Sequence, residues 1–203
     1  MNVEAASLFL ALLAVLAQAA VATAVVLAVG GRFSSRARRA GKALAGPVGE
    51  QALSLAFLVA AVAMAGSLYF SEVADFPPCR LCWYQRICMY PLVPVLGLAA
   101  WRRDHGIRLY AAVLAGIGAV ISIYHVVLER YPTLESSVCD PTNPCTLIWV
   151  RRFGYLTIPT MALSGFALIL TLLALTPGSA PPTDEPTTPP SDDRLAPTTR
   201  TTS

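Results

Sequence analysis

Long apolar runs separated by short polar segments are the dominant pattern of this chain. Five runs approach or exceed the length needed to cross a bilayer, which takes about 20 helical residues. They cover residues 5–29, 52–70, 87–101, 109–128 and 158–175. The pattern therefore predicts an all-α membrane protein with five transmembrane helices.

The third run is the shortest and contains two prolines, Pro91 and Pro94. Trp83 and Tyr84 on one side and Trp101 on the other are typical of the aromatic belts at membrane surfaces, and they extend this run to about 19 residues. Proline kinks a helix, but neighbouring helices can satisfy the backbone groups that it frees. We therefore expect a kinked third span.

The composition disfavours a water-soluble domain. Hydrophobic residues make up 55% of the 203 residues, charged residues only 13%, and the mean hydropathy is +0.59, whereas soluble domains carry about 25% charge. The net charge of +3 comes from fourteen arginines and one lysine in short bursts between apolar runs. Neither a cytosolic enzyme nor a nucleic-acid partner is expected.

Basic residues at the span ends predict the orientation. Arg32, Arg36, Arg38, Arg39 and Lys42 follow the first run, and positive charge beside a span stays cytoplasmic. The N-terminus and the two cysteine-bearing loops are then extracytoplasmic, and the C-terminus is cytoplasmic. The alternative, a cleaved signal peptide, requires a basic n-region that this N-terminus lacks.

These features divide the chain into four segments. Residues 1–30 form an N-terminal transmembrane helix, 31–50 a basic cytoplasmic loop, and 51–175 a domain with the other four helices. In residues 176–203 prolines and threonines replace the apolar residues. That composition is typical of a disordered tail.

Four of the five cysteines lie in the two outer loops, which indicates an oxidising compartment. Cys79 and Cys82 form a Cys-x-x-Cys, and Cys139 and Cys145 form a second pair. A Cys-x-x-Cys alone is compatible with a redox, metal or structural role, but two pairs on one face of a membrane indicate a relay. Cys88, inside the third span, is expected to be a packing residue.

The surroundings of the first pair favour redox chemistry. Pro77 and Pro78 favour a helix start near Cys79, where free N–H groups and the helix dipole stabilise a thiolate. Arg86 follows Cys82 by one turn on the same face, so its guanidinium is expected near the sulfur. The alternative for Arg86 is an interfacial anchor that reaches lipid head groups.

His125 lies near the outer end of the fourth span, at the level of Cys82 and Arg86. A functional role there competes with that of a neutral histidine donating to a backbone carbonyl. Farther along, the segment 147–153 with Arg151 and Arg152 indicates a short amphipathic helix on the bilayer, with a connecting loop as the alternative.

Three stretches resemble the DsbB family, especially its short-looped BdbC-like branch. They are FPPCRLCWYQR at 76–86 running into MYP at 89–91, Tyr124-His125 with Leu128 and the later cysteine loop, and FGYLTIP at 153–159. The likeness covers roughly residues 52–175 and leaves out the first helix. It implies a DsbB-like four-helix transmembrane bundle plus one additional N-terminal helix.

The resemblance also implies a quinone-dependent oxidoreductase of the bacterial plasma (inner) membrane that makes disulfides and passes them to an extracytoplasmic thioredoxin-fold, DsbA-like protein. By this likeness Cys139 and Cys145 are the shuttle pair. Cys139 forms the mixed disulfide with the soluble protein, and Cys145 exchanges with the Cys-x-x-Cys. The spacer between Cys139 and Cys145 is short, which leaves the pair little reach.

The same resemblance implies a quinone pocket. Cys82 faces the quinone ring with Cys79 as its disulfide partner, Arg86 contacts a quinone carbonyl, and His125 lies near the same pocket. The quinone is menaquinone or ubiquinone. An alanine- and arginine-rich composition indicates a GC-rich genome, and menaquinone if the source is actinobacterial.

Three other interpretations remain at this point. The chain could be a non-enzymatic membrane scaffold stapled by disulfides, which leaves Arg86 and His125 without a role. Its four outer cysteines could form a Cys₄ zinc site, although an oxidising compartment disfavours free thiolates. A vitamin K epoxide reductase-like protein has its loop pair before the Cys-x-x-Cys, whereas here the loop pair follows it. No metal is expected.

Overall fold

The structure is a computed structural model that describes residues 2–134, 139–140 and 142–176. The described part contains six α-helices and a short β-hairpin ahead of the last helix. The elements are α1 (Val3–Phe33), α2 (Ser35–Glu72), α3 (Arg80–Met89), α4 (Leu92–Arg102), α5 (Arg108–Arg130), a 3-10 turn (Pro132–Leu134), β1 (Arg151–Arg152), β2 (Leu156–Thr157) and α6 (Ile158–Leu175). The predicted disordered tail lies, from residue 177 onward, outside the described residues.

Four of the helices, α1, α2, α5 and α6, are long and apolar enough to cross a membrane, which confirms four of the predicted spans. Large apolar side chains on their outer faces are exposed, as Leu16 (65%), Val26 (68%) and Val120 (66%) illustrate. Continuous apolar faces of this kind are stable against lipid rather than water. The chain is therefore a multi-pass membrane protein.

The third predicted span is a broken helix rather than a kinked one. α3 has 10 residues and α4 has 11, with Tyr90 and Pro91 between them. Pro91 has no N–H to continue the bonding pattern of α3, and the pattern resumes where the Val93 N–H donates to the Tyr90 carbonyl at 3.1 Å. Pro94 is tolerated because it lies in the first turn of α4, where N–H groups have no helical acceptor.

The connection between the first two spans is a single non-helical residue. Ser34 is extended (φ −135°, ψ 126°) between the end of α1 and the start of α2. Its N–H donates to the Gly30 carbonyl at 2.8 Å, and its carbonyl accepts the Arg38 N–H at 3.1 Å. The segment 31–50, predicted as a basic loop, is therefore almost entirely helical, and its five basic side chains are exposed.

The amphipathic helix expected over residues 147–153 does not form. β1 instead pairs antiparallel with β2, with Arg151 opposite Thr157. Phe153 and Gly154 between the strands have positive φ values of 50° and 78°, a conformation that ends a helix and that glycine adopts without strain. The segment leads through this hairpin directly into α6.

Close packing of α2, α4, α5 and α6 forms the main core, and α1 packs against α2 and α6. Small side chains let the helix backbones approach, as is common inside membranes. At the contact between α5 and α6, Gly118 faces the ring of Phe166, and a methyl group at Gly118 would overlap that ring. The core residues include Ala52, Ala56, Ala60, Leu92, Leu96, Ala111, Ala115, Phe166 and Ile169.

Replacing Gly118 with alanine should destabilise the protein by about 1–3 kcal/mol, because the new methyl group overpacks the Phe166 ring. Gly116, on the same helix, has open space around it. Alanine at Gly116 should be neutral or stabilising by up to about 1 kcal/mol, because glycine is a poorer helix former. Thermal unfolding of both variants in one detergent measures the difference, and equal melting temperatures would contradict this packing.

Candidate redox site

The Cys-x-x-Cys begins a helix, as the two preceding prolines predict. Cys79 is the N-cap of α3, and its sulfur accepts the backbone N–H of Cys82 at 3.4 Å. The two sulfur atoms are 2.9 Å apart, farther than the about 2.05 Å of an S–S bond. Both residues are therefore thiols in this structure, Cys79 buried and Cys82 partly buried.

The second pair, Cys139 and Cys145, forms a disulfide with its Cα atoms 5.8 Å apart. These two residues are buried in one cluster with Cys79, Leu81 and Leu128. Two cysteine pairs that are far apart in the chain thus lie side by side, with one oxidised and the other reduced.

Hydrogen bonds hold the second cysteine loop against the first. The Asp140 carboxylate accepts the backbone N–H of Thr142 at 2.9 Å and its hydroxyl at 2.7 Å, and these bonds lower the pKa of Asp140. The side-chain amide of Asn143 donates to the Pro77 carbonyl at 3.3 Å. Asp140 and Thr142 are therefore bonded to each other, and Asn143 is attached to the residues just before the Cys-x-x-Cys.

His125 is buried between the two pairs. Its Nε2 is 2.9 Å from the Cys145 carbonyl oxygen and 3.8 Å from the Cys79 sulfur. Its Nδ1 is 3.1 Å from the amide nitrogen of Gln85, so Nδ1 accepts from Gln85 and the proton of the neutral ring lies on Nε2. His125 thus bonds to a backbone carbonyl, as a structural histidine does, and it also contacts the Cys79 sulfur, as a residue of a redox site would.

Cys79 lies between α2 and α3, outside the membrane-spanning segments, and its pKa is lowered to about 4. The main cause is the hydrogen bond that the Cys82 thiol donates to the Cys79 sulfur. Burial opposes this effect, and the contact with His125 adds to it. Because a sulfur of low pKa is a good leaving group in disulfide exchange, these contacts favour the release of Cys79 as a thiolate.

Arg86 is held against α2 by hydrogen bonds within the bundle. Its Nε donates to the Ser67 hydroxyl and its Nη2 to the Ser67 carbonyl, both at 3.0 Å. The Tyr90 hydroxyl donates to the same Ser67 hydroxyl at 3.3 Å. The guanidinium carbon also lies 5.2 Å from the centre of the Trp83 ring, so the cation is fixed one turn from Cys82.

A cavity of about 490 Å³ extends from these residues between α1, α2, α5 and α6. Its polar lining is concentrated where α3 begins, and most of the remaining lining is aliphatic or aromatic. An apolar cavity with a few convergent polar groups is typical of a site for a small organic molecule. The polar residues of α3 and α5 that line it are Cys79, Cys82, Gln85, Arg86, His125 and Glu129.

Cys79, Cys82 and His125 also have ligand atoms within 4.8 Å of one another, which is close enough for a metal ion. The Cys₄ arrangement weighed above is different, since it needs all four outer cysteines as thiolates. Cys139 and Cys145 are joined in this structure, so they offer no thiolate to such a site.

Three contributors to the site were missed by sequence reasoning: Gln85, Ser67 and Glu129. An amide inside an apolar helix was a usable signal for Gln85, because a buried polar group needs a partner. Glu129 is an acidic residue at the end of an apolar run, and it accepts a 2.6 Å hydrogen bond from the Thr157 hydroxyl. Ser67 offered no signal, because its role depends on how α3 packs against α2.

Replacing His125 with alanine should raise the pKa of Cys79, because the histidine contact contributes to the lowering. The shift should be partial, since the main cause, the Cys82 thiol, remains. The ultraviolet absorbance of the thiolate, followed against pH in protein with a reduced Cys-x-x-Cys, measures it. Cys79→Ser, which should lose the acid-range titration, is the control, and an unchanged midpoint in His125→Ala would exclude the histidine contribution.

The candidate site lies in a stretch of sequence that this chain shares with known proteins. The family model for disulfide bond formation protein DsbB matches residues 49–176. The match includes both cysteine pairs, Arg86 and His125, and it begins after α1. No solved structure gives a significant match.

Relatives from Bacillus species match the same part of the chain. Disulfide bond formation protein C of Bacillus subtilis (strain 168) is 44% identical over 127 residues, which are 62% of this chain and 92% of the relative. Probable disulfide formation protein C 2 of Bacillus anthracis is 41% identical over 121 residues, 60% of this chain and 86% of the relative. Probable disulfide formation protein C 1 of the same species is 45% identical over 122 residues, which are 59% of this chain and 87% of the relative.

Proposed function

The chain belongs to the DsbB family of disulfide bond formation proteins and is a disulfide oxidoreductase, and we propose that it passes electrons from a soluble dithiol protein to a membrane quinone. The soluble partner is an extracytoplasmic protein with a thioredoxin fold, similar to DsbA. Electrons enter at Cys139 and Cys145, continue to Cys79 and Cys82, and leave to menaquinone or ubiquinone.

The observation that carries this proposal is the position of His125 between the two cysteine pairs. One imidazole nitrogen lies 3.8 Å from the Cys79 sulfur and 2.9 Å from the Cys145 carbonyl, and Asn143 joins the second loop to Pro77. Thiol–disulfide exchange requires a thiolate to approach a disulfide sulfur directly. The adjacent pairs favour exchange between Cys79 and Cys145 without a large movement of either loop.

The relay begins with the soluble partner. One of its thiolates attacks the Cys139 sulfur, the bond between Cys139 and Cys145 breaks, and a mixed disulfide forms. The second thiol of the partner then attacks that mixed disulfide, so the partner leaves with a disulfide. Cys139 and Cys145 remain as thiols, and two electrons and two protons have entered the membrane protein.

The second exchange starts from an oxidised Cys79–Cys82 pair. The Cys145 thiolate attacks Cys79, and Cys82 is released as a thiolate. Cys139 then attacks the sulfur of Cys145, which restores the outer disulfide and leaves Cys79 and Cys82 reduced. The resulting state, an outer disulfide with a reduced Cys-x-x-Cys, is the state of this structure.

The cavity fits a quinone in size and polarity. A bound quinone supplies an acceptor for two electrons and two protons, which net formation of disulfides requires. Cys82 and Arg86 line the polar part of the cavity. The Ser67 and Trp83 contacts hold the guanidinium near Cys82, where it can stabilise negative charge that develops on a bound oxygen.

The proposed topology places the N-terminus and both cysteine loops outside and the C-terminus inside the cell. The five basic residues around the α1–α2 connection are exposed at the end of α2 opposite the Cys-x-x-Cys. Three more arginines, Arg102, Arg103 and Arg108, flank the connection between α4 and α5. Basic residues beside span ends favour the cytoplasmic side, which leaves the cysteines on the outer face of a bacterial plasma membrane.

Serine at any one of the four relay cysteines should abolish quinone reduction, because each exchange needs both sulfur atoms of a pair. Cys88→Ser is the matched control and should stay nearly as active as the wild type, since Cys88 is buried in the helix core away from the relay. The assay supplies the purified full chain with a reduced thioredoxin-fold protein and follows the quinone absorbance. The relay variants are Cys79→Ser, Cys82→Ser, Cys139→Ser and Cys145→Ser.

Full turnover in any of these four variants would contradict the relay. No turnover by folded wild-type protein, tested with several quinones and dithiol proteins, would instead favour a disulfide-stapled scaffold. Zinc bound in equal amount to the protein in that case would favour a metal site at Cys79, Cys82 and His125.

Arg86→Ala should raise the KM for quinone by about 10- to 100-fold, because a hydrogen bond to a charged group is worth about 1.5–3 kcal/mol. Turnover of the dithiol exchange alone should change little. Arg80→Ala is the control, since Arg80 is on the same helix but is exposed and does not line the cavity. The same KM in Arg86→Ala and Arg80→Ala would remove Arg86 from the quinone site.

A further inference from the structure

The N-terminal helix α1 precedes the residues that the DsbB family model matches, yet it forms one wall of the cavity. Its lining side chains recur at helical spacing and so occupy one broad face of α1. They are Leu10, Leu13, Ala14, Leu16, Ala17 and Ala20. The site described by the family match is therefore completed here by a helix from outside that match.

α1 is attached to this wall position by specific contacts. Leu10 fills the space over Gly66 of α2, where a Cβ atom would lie 2.8 Å from a Leu10 methyl group. The Gln18 amide nitrogen donates to the Ser164 hydroxyl of α6 at 2.9 Å, and its oxygen accepts the Tyr155 hydroxyl at 2.8 Å. Hydrogen bonds between helices in a membrane specify their relative position.

A further attachment reaches the outer end of α1. The Arg152 guanidinium donates to the Ser7 hydroxyl at 3.1 and 2.8 Å and to the Glu4 carbonyl at 3.2 Å. Arg152 lies in β1, shortly after Cys145 in the chain. The helix is thus joined to α2, to α6 and to the segment that follows the shuttle pair, so it belongs to the bundle.

Three of the six α1 side chains that line the cavity are alanines, which leave space beside the helix. Ala17 lines the cavity and is buried, and Ala20 lines it nearer the surface. Leu16 and Leu58 line the cavity and are also 65% and 56% exposed on the outside of the bundle. The cavity therefore opens sideways, at the level of the apolar helices, toward lipid.

We propose that α1 is the wall against which the apolar chain of the quinone lies, so that this helix determines which acceptors bind by their chain. The inference rests on the proposed function, because it assumes a quinone in the cavity. The polar groups near Cys82 and Arg86 suit a quinone head group, which leaves the aliphatic lining along α1 to the isoprenoid chain. A sideways opening suits a ligand that is dissolved in the bilayer.

The test compares a long-chain quinone with a chain-free analogue of the same head group. Ala17→Phe should weaken binding of the long-chain quinone by roughly tenfold or more, because a bulky ring occupies the space for the chain. Binding of the chain-free analogue should stay within about twofold. Quenching of tryptophan fluorescence in the full chain measures both affinities without turnover.

Ala19→Phe is the matched control, since Ala19 is exposed and does not line the cavity; its affinities should equal those of the wild type. Ala20→Phe is a second test variant at an exposed lining position, where a ring is not expected to disturb packing, and it decides the question if Ala17→Phe fails to fold.

Two results would overturn the inference. If the wild type binds and reduces long-chain quinone but the folded lining variants bind it equally well, α1 does not contact the chain and the proposed function stands. If the wild type binds neither quinone and reduces neither with a reduced dithiol protein, both proposals fail.

Discussion

The buried imidazole of His125 joins the two cysteine-bearing segments, and the geometry of the redox site depends on it. Burying a polar ring is unfavourable unless its nitrogen atoms have partners. Here Nδ1 is paired with Gln85, and Nε2 faces the Cys145 carbonyl and the Cys79 sulfur. These bonds connect α3, α5 and the second cysteine loop, so the same contacts that satisfy the ring also keep the two sulfur pairs adjacent.

A residue at the break in the third span shares the contact that holds Arg86 in place. The break at Pro91 follows Tyr90, whose hydroxyl reaches the same Ser67 that accepts two hydrogen bonds from Arg86. A cation at this depth is costly unless its donors are satisfied, and the carbonyl and the hydroxyl of Ser67 accept two of them. The charge is therefore kept beside the cavity. An arginine without these hydrogen bonds would turn toward water or lipid head groups.

Features set by local sequence or by bilayer thickness could be predicted, and contacts between distant elements could not. Four apolar runs became membrane-length helices, and Pro77 and Pro78 placed the start of α3 at Cys79 because capping is local. Arg86 and its partner Ser67 are 19 positions apart in the chain, and Gln85 and its partner His125 are 40 positions apart. No window of hydropathy contains such pairs. The pattern of cysteines indicated a relay, whereas the role of each cysteine in it came from the family resemblance.

The helix that was one of two alternatives for residues 147–153 does not form for the same reason. Local amphipathicity assigned the arginine pair to the bilayer surface, whereas Arg152 finds Ser7 on α1, 145 positions away, and β1 pairs with β2. That contact has a consequence for the relay. The loop that carries the shuttle disulfide is held by Asn143 on one side of Cys145 and by Arg152 on the other, and the two cysteines are only six positions apart. These bonds hold Asn143 and Arg152 against the rest of the protein, so on the proposed relay the soluble partner has to bring its thiols down to the membrane surface.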